Sequence, residues 1–177
     1  MRLKNNVNQF GLITIVLHWL MAFLIIGMLT LGLYMVTLPT SLEKLKLYGL
    51  HKECGFVVLA LVIIRLIWRI VNITPIMSLP WFEKIAARLV HWAFYGFMLA
   101  MPVTGWLVTS AAGLPVSFFG LFTVPSLVAP SDEFRHFFAM VHQWVAYALI
   151  ATIVLHTFAA LKHHFIDKDD ILRRMLS

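Results

Sequence analysis

Cysteine occurs once in 177 residues, at Cys54. A single thiol excludes an internal disulfide, a cysteine-bound iron–sulfur cluster and a C-x-x-C-H attachment site. Cys54 itself reads as a small packing residue near a helix end. Charge is scarce too: Asp, Glu, Lys and Arg make up 12% of the chain, about half of the ~25% usual in a soluble domain. The sequence has no Gly-rich phosphate loop, no G-x-S-x-G nucleophile motif, no internal repeat and no low-complexity segment. Its apolar runs contain no paired carboxylates. Signatures of a phosphate-cradling nucleotide site or a serine nucleophile are therefore missing.

What is present is apolar and comes in long runs. The chain is 61% hydrophobic, with a mean hydropathy of +0.88. Four runs are long enough to cross a bilayer: about 12–37, 50–73, 88–112 and 137–165. The first is too long for the apolar part of a signal peptide and lacks a small-x-small cleavage site, so it reads as a retained helix. The expectation is an all-α membrane protein, a single domain over 1–177 built as a four-transmembrane-helix bundle. Pro102 is expected to bend the third helix, which a bundle tolerates. The connectors expected are 38–49, with Glu43, Lys44 and Lys46, then 74–87, then 113–135. In the last, the run PVSFFGLFTVPSLVAP is expected to lie across the bundle end. A charged tail, IDKDDILRRMLS, closes the chain.

Four helices put both termini on one side. That side carries Arg2, Lys4, Arg65, Arg69, Lys84, Arg88, Lys162, Lys168, Arg173 and Arg174, ten of the fourteen basic residues. The positive-inside rule places it in the cytoplasm. The other side has Lys44, Lys46, Lys52 and Arg135, balanced by Glu43, Glu53, Asp132 and Glu133. The formal charge of +6 is thus a topological signal, and no nucleic-acid partner is expected.

Histidines supply the chemistry. His142 and His156 lie fourteen residues apart in VHQWVAYALIATIVLH, almost four helical turns, so both imidazoles leave one face about 21 Å apart along the axis. With the topology above, His51 and His142 share an outer level, while His18 and His156 share an inner one. A buried imidazole in a membrane is costly without a partner. Two neutral imidazoles from different helices at one depth suit the two faces of a haem, so two b-type haems in the core are expected. Zinc competes poorly, because it wants three or four converging ligands and the apolar segments offer no carboxylate. His91 is also at the inner level, and depth alone leaves it a rival to His18 or His156. His163 and His164 follow on the His156 face nearer the cytoplasm; His163 is a candidate quinone contact, and His164 has no assigned role. His136 reads as an ordinary solvated histidine.

Arg65 and Arg69 follow His51 by fourteen and eighteen residues, spacings that return to one helical face. They read either as snorkelling cations or as partners of haem propionates or a quinone head group. Lys84 is a further candidate on that side.

These residues resemble the bacterial cytochrome b561 family, small four-helix dihaem proteins of the inner membrane. The resemblance rests on LHWL at His18, LHKECG at His51, RLIWR from Arg65, HWAFYGFMLAMPVTGW from His91, VHQW at His142 and LHTFAALKHHFIDKDDILRRM from Leu155. It covers essentially the whole chain. It implies that His18 pairs with His156 and His51 with His142, leaving His91 as a non-ligand. It further implies electron transfer between a periplasmic donor and the ubiquinone pool, with superoxide oxidation one activity of such proteins. A haem-bearing anchor that serves a separate periplasmic redox protein is the alternative, and a cofactor-free transporter or structural bundle is a third reading.

Overall fold

The computed structural model describes residues 2–76 and 80–176. Positions 77–79 of the expected 74–87 connector, together with Met1 and Ser177, lie outside them. Four long helices dominate: α1 (Leu12–Thr37), α2 (Leu42–Val71), α3 (Trp81–Ala111) and α4 (Asp132–Lys162). A two-stranded hairpin, β1 (Val116–Phe118) and β2 (Phe122–Val124), joins α3 to α4. A π-helical turn (His163–Asp167) and a 3-10 turn (Arg173–Met175) follow α4.

All four helices are long and apolar enough to cross a membrane. Their lipid-facing character shows in the surface, where Phe23 is 71% and Ile70 75% exposed; such patches are stable in hydrocarbon and a liability in water. The interior cluster is small, formed by Met21, Val58, Val62 and Met98 from the first three helices.

Helix ends follow local chemistry. Pro39 disfavours helical geometry at the residue before it, and Leu38 is extended, so α1 stops at Thr37. α2 starts eight residues before the expected boundary. Ser41 caps it by accepting from the Lys44 N–H at 3.2 Å, and Glu43 sits in the first turn. Both features stabilise a helix N-terminus. Glu43, Lys44 and Lys46 are thus on helix rather than connector: thirty residues span about 45 Å against a hydrocarbon core of about 30 Å, so the charged turns project beyond it. α3 likewise begins at Trp81, just after Pro80, and runs unbroken through Pro102. α4 begins at Asp132, where Ser131 accepts from the Phe134 N–H.

At one end the chain's two terminal segments meet the α2–α3 connector. The Asn5 amide donates to the Ile73 carbonyl at 2.7 Å, the Ile76 N–H donates to Val7, and Arg174 donates to the Ile76 carbonyl. Gly11 fits here because a Cβ would run into the Lys4 backbone. At the opposite end the expected apolar run folds back as the hairpin, where the Phe119 N–H donates to Glu53 and the Trp106 indole donates to the Pro125 carbonyl. The three-residue loop Phe119–Leu121 turns through positive φ at Phe119 and Gly120, with the Leu121 N–H donating to the Phe118 carbonyl at 2.9 Å, the paired left-handed geometry of a type I′ turn.

Candidate functional site

α4 carries His142 and His156, and each faces a second imidazole. At the inner level His18, from α1, has its ring centroid 6.2 Å from that of His156, with planes at 56°. At the outer level His51, from α2, lies 6.4 Å from His142, with planes at 80°. A metal-bound imidazole nitrogen sits about 2 Å from its ion, and the ring centre is about 1 Å further back. Two imidazoles facing each other through one ion therefore have centroids roughly 6–6.5 Å apart.

His91, on α3, has its centroid 6.1 Å from His156, so centroid distance alone does not separate it from His18. His18, His51, His142 and His156 are all half-buried, whereas His91 is exposed. Aromatic edges close the inner pair, with Trp19 against His18 and Phe94 against His156, each with centroids 5.2 Å apart.

Three contacts come from residues that spacing arguments pass over. The Thr104 hydroxyl is 3.0 Å from His142 Nδ1. A Cβ at Gly105 would stand 3.2 Å from His142 Cε1, and one at Gly32 would stand 3.3 Å from His51 Cε1. Thr104 and Gly105 lie within the α3 stretch singled out above, but small residues in an apolar run carry no hydropathy signal. Their one legible mark is their place just after Pro102.

Of the two arginines, Arg65 is half-buried and reaches the inner pair, with Nη2 3.2 Å from His18 Nδ1 and Nη1 3.9 Å from Met21 Sδ. Arg69, one turn on, is exposed, as are Lys84 and His136. His163 faces the tail: its Nδ1 is 2.7 Å from Asp169 and 3.2 Å from Asp167. Lys162 bridges Asp167 at 2.6 Å and Glu83 at 3.1 Å. The donor atoms of Glu83, His163 and Asp167 converge, but the Lys162 ammonium already neutralises two of them.

The residues present fit a haem. Gly32 borders the His51 ring and Gly105 the His142 ring, each leaving room that a Cβ would fill. α1 packs on α2, α2 on α3 and α3 on α4, but α1 and α4 are not closely packed. The seam between them is a groove of about 310 Å³, lined by Ile26, Leu29, Thr30 and Leu33 facing Ile150, Ile153 and Val154. The helices that carry the inner imidazoles are thus held apart where a four-helix bundle would ordinarily close.

Comparison with known proteins agrees with this reading. A family model described as prokaryotic cytochrome b561 matches residues 9–177. Cytochrome b561 homolog 2 of Escherichia coli (strain K12) is 38% identical over 99% of this chain and 95% of its own length. Cytochrome b561 homolog 1 of the same organism is 32% identical over 96% and 98%. A protein of Yersinia pestis named probable superoxide oxidase CybB is 27% identical over 95% and 96%. With four spanning helices in a bundle and a match across nearly all its length, the chain belongs to the prokaryotic cytochrome b561 family, multi-pass inner-membrane proteins of electron transfer.

Proposed function

We propose that the protein is a dihaem cytochrome that carries electrons across the inner membrane, with superoxide as the periplasmic donor and ubiquinone as the acceptor. The observation that carries this reading is the pair of imidazole couples, at 6.2 and 6.4 Å, ranged along one helix. His51 and His142 would hold the outer haem, His18 and His156 the inner one. Each b-type haem, when bound, supplies a site that accepts and gives up one electron.

The protein's own residues supply access and protons. A recess of about 370 Å³ opens at the outer end, lined by Tyr48, Lys52, Thr109, Arg135 and His136 among others. Tyr48 is three residues from His51, and Ala139, also in the lining, is three from His142, so the recess leads toward the outer pair. Asp132 pairs with Arg135 at 3.0 Å, so the positive potential of the recess falls chiefly to Lys52, which would draw a small anion although the outer side has no net charge. Two superoxide anions each lose one electron and leave as dioxygen. One ubiquinone gains both electrons and two protons to become ubiquinol. At the inner level Arg65, Arg69, Lys84, His91 and His163 are the candidates to bind the quinone head group or pass protons; histidine does the latter well near neutral pH. The superoxide assignment also draws on the name of the Yersinia pestis relative.

The first test is a reduced-minus-oxidised visible spectrum with haem-to-protein stoichiometry, expected to give two b-type haems per chain. Stopped-flow mixing of superoxide with the oxidised protein should then reduce haem rapidly, and added ubiquinone should reoxidise it. No rapid reduction would remove superoxide as donor. Lack of quinone reactivity, with a periplasmic redox protein copurifying, would favour a haem-bearing anchor. A colourless protein would leave a cofactor-free bundle.

A further inference from the structure

The two imidazole pairs differ in what touches the far nitrogen of one ring in each. Thr104 Oγ1 lies 2.7 Å from the Ala100 carbonyl, 3.0 Å from that of Met101 and 3.0 Å from His142 Nδ1. A hydroxyl has one proton. Both carbonyls can only accept, and the short Ala100 contact takes that proton. Toward His142 the oxygen therefore accepts, so Nδ1 carries the imidazole proton and Nε2 keeps its lone pair. That is the tautomer a metal ligand needs, and a hydrogen bond from Nδ1–H to an acceptor raises the basicity of the ligand.

At the inner pair the partner is of opposite character. Arg65 Nη2 is 3.2 Å from His18 Nδ1, and a guanidinium only donates. In this arrangement His18 Nδ1 accepts and its proton sits on Nε2. For Nε2 to ligate, the proton must move to Nδ1, where it meets a donor. Arg65 then has to release His18 and turn to another acceptor. Its charge stays at the inner level because residue 65 does, with Nη1 also 3.9 Å from Met21 Sδ.

We propose that Thr104 and Arg65 are opposed positioning residues that set the direction of electron flow. Thr104 makes His142 a stronger electron donor and so favours the oxidised form of the outer centre. The Arg65 charge favours the reduced form of the inner centre. Both effects lower the outer potential relative to the inner one and so favour movement of electrons from the outer level to the inner. The inference rests on the four-histidine ligand reading above.

The test is a potentiometric titration of the purified holoprotein, with the outer wave identified as the one that His142→Ala removes. The outer wave should lie below the inner. Thr104→Val should raise the outer centre's ratio of reduced to oxidised form about tenfold at fixed ambient potential, about 59 mV for one electron, and leave the inner wave in place. Thr104→Ser should restore the original value. Arg65→Met should lower the inner wave, and Arg65→Lys, which keeps the charge, should lower it less. If Thr104→Val sheds the outer haem, retention of that haem at its original potential in Thr104→Ser supports the hydroxyl's role. A Thr104→Val protein with two haems and an unmoved outer wave would overturn the proposal, as would an Arg65→Met protein whose two waves shift equally. Wild-type protein carrying one haem or none would instead sink the ligand assignment beneath it.

Discussion

Histidine spacing and depth make the imidazole levels legible in the sequence, because a polar ring in an apolar run stands out. Thr104, Gly32 and Gly105 did not stand out, since nothing in an apolar run marks which small residue will face a ring across the bundle. Their effect is nevertheless testable at single positions. His142→Ala should abolish the outer haem and spare the inner one; His156→Ala should do the reverse; His91→Ala should leave two haems. Gly105→Ala separates helix stability from ring placement. Alanine favours helix over glycine by roughly 1 kcal/mol, so a purely structural role predicts an equal or firmer helix. The added methyl would meet His142 Cε1 at 3.2 Å and push the ring. Helicity should hold by circular dichroism while the haem-to-protein ratio falls toward one. A Gly105→Ala protein with two haems and an unchanged spectrum would show that the ring has room to give.

The four long helices were legible in number and order, less so in extent; the hairpin between α3 and α4 was read only as an apolar run. Hydropathy finds the part of a helix that sits in hydrocarbon; it misses turns that continue past it. The signals for those turns were local: Ser41 with Glu43 for α2, Pro80 with Glu83 for α3, and Ser131 with Asp132 for α4. The tail shows the same limit. In sequence it reads only as a charged tail, yet Arg174 reaches the Ile76 carbonyl and the Trp19 indole donates to the Met175 carbonyl at 2.7 Å. Asp170 orients Arg174 through a 2.8 Å ion pair, and the Arg174 guanidinium holds the Asp170 carboxyl below its ordinary range. The charged form is thus the one the docked tail stabilises. Above the ordinary aspartate value of about 3.9 the contact is fully present. It is lost as pH falls through the lowered docked-state value. The emission difference between wild-type and Trp19→Phe proteins should hold steady from neutral pH down to that range and change below it. Asp170→Asn should show the altered signal already at neutral pH. A signal in Asp170→Asn identical to wild type at every pH would detach the tail's docking from this pair.

For the molecule as a whole, direction across the membrane is what gives the two levels their meaning. Hydrogen bonds tie residues 2–9, the 72–76 connector and the tail together at one end, and the hairpin to Glu53 of α2 at the other. Ten of the fourteen basic residues belong to the first end. On the second, Lys44, Lys46, Lys52 and Arg135 are matched by four acidic residues. Basic residues close to spanning helices are retained in the cytoplasm, so the first end should face inward and the His51–His142 pair should lie nearer the periplasm. Replacing the lone thiol by Cys54→Ser gives a clean background for a direct check. Thr40 and Asn8 are both exposed, at opposite ends. In intact cells a membrane-impermeant maleimide should label Thr40→Cys and spare Asn8→Cys; after disruption it should label both. The reverse pattern would invert the bundle. The recess lined by Lys52 and Arg135 would then open to the cytoplasm, a periplasmic superoxide donor would have no path to the outer pair, and the potential step set by Thr104 and Arg65 would drive electrons outward.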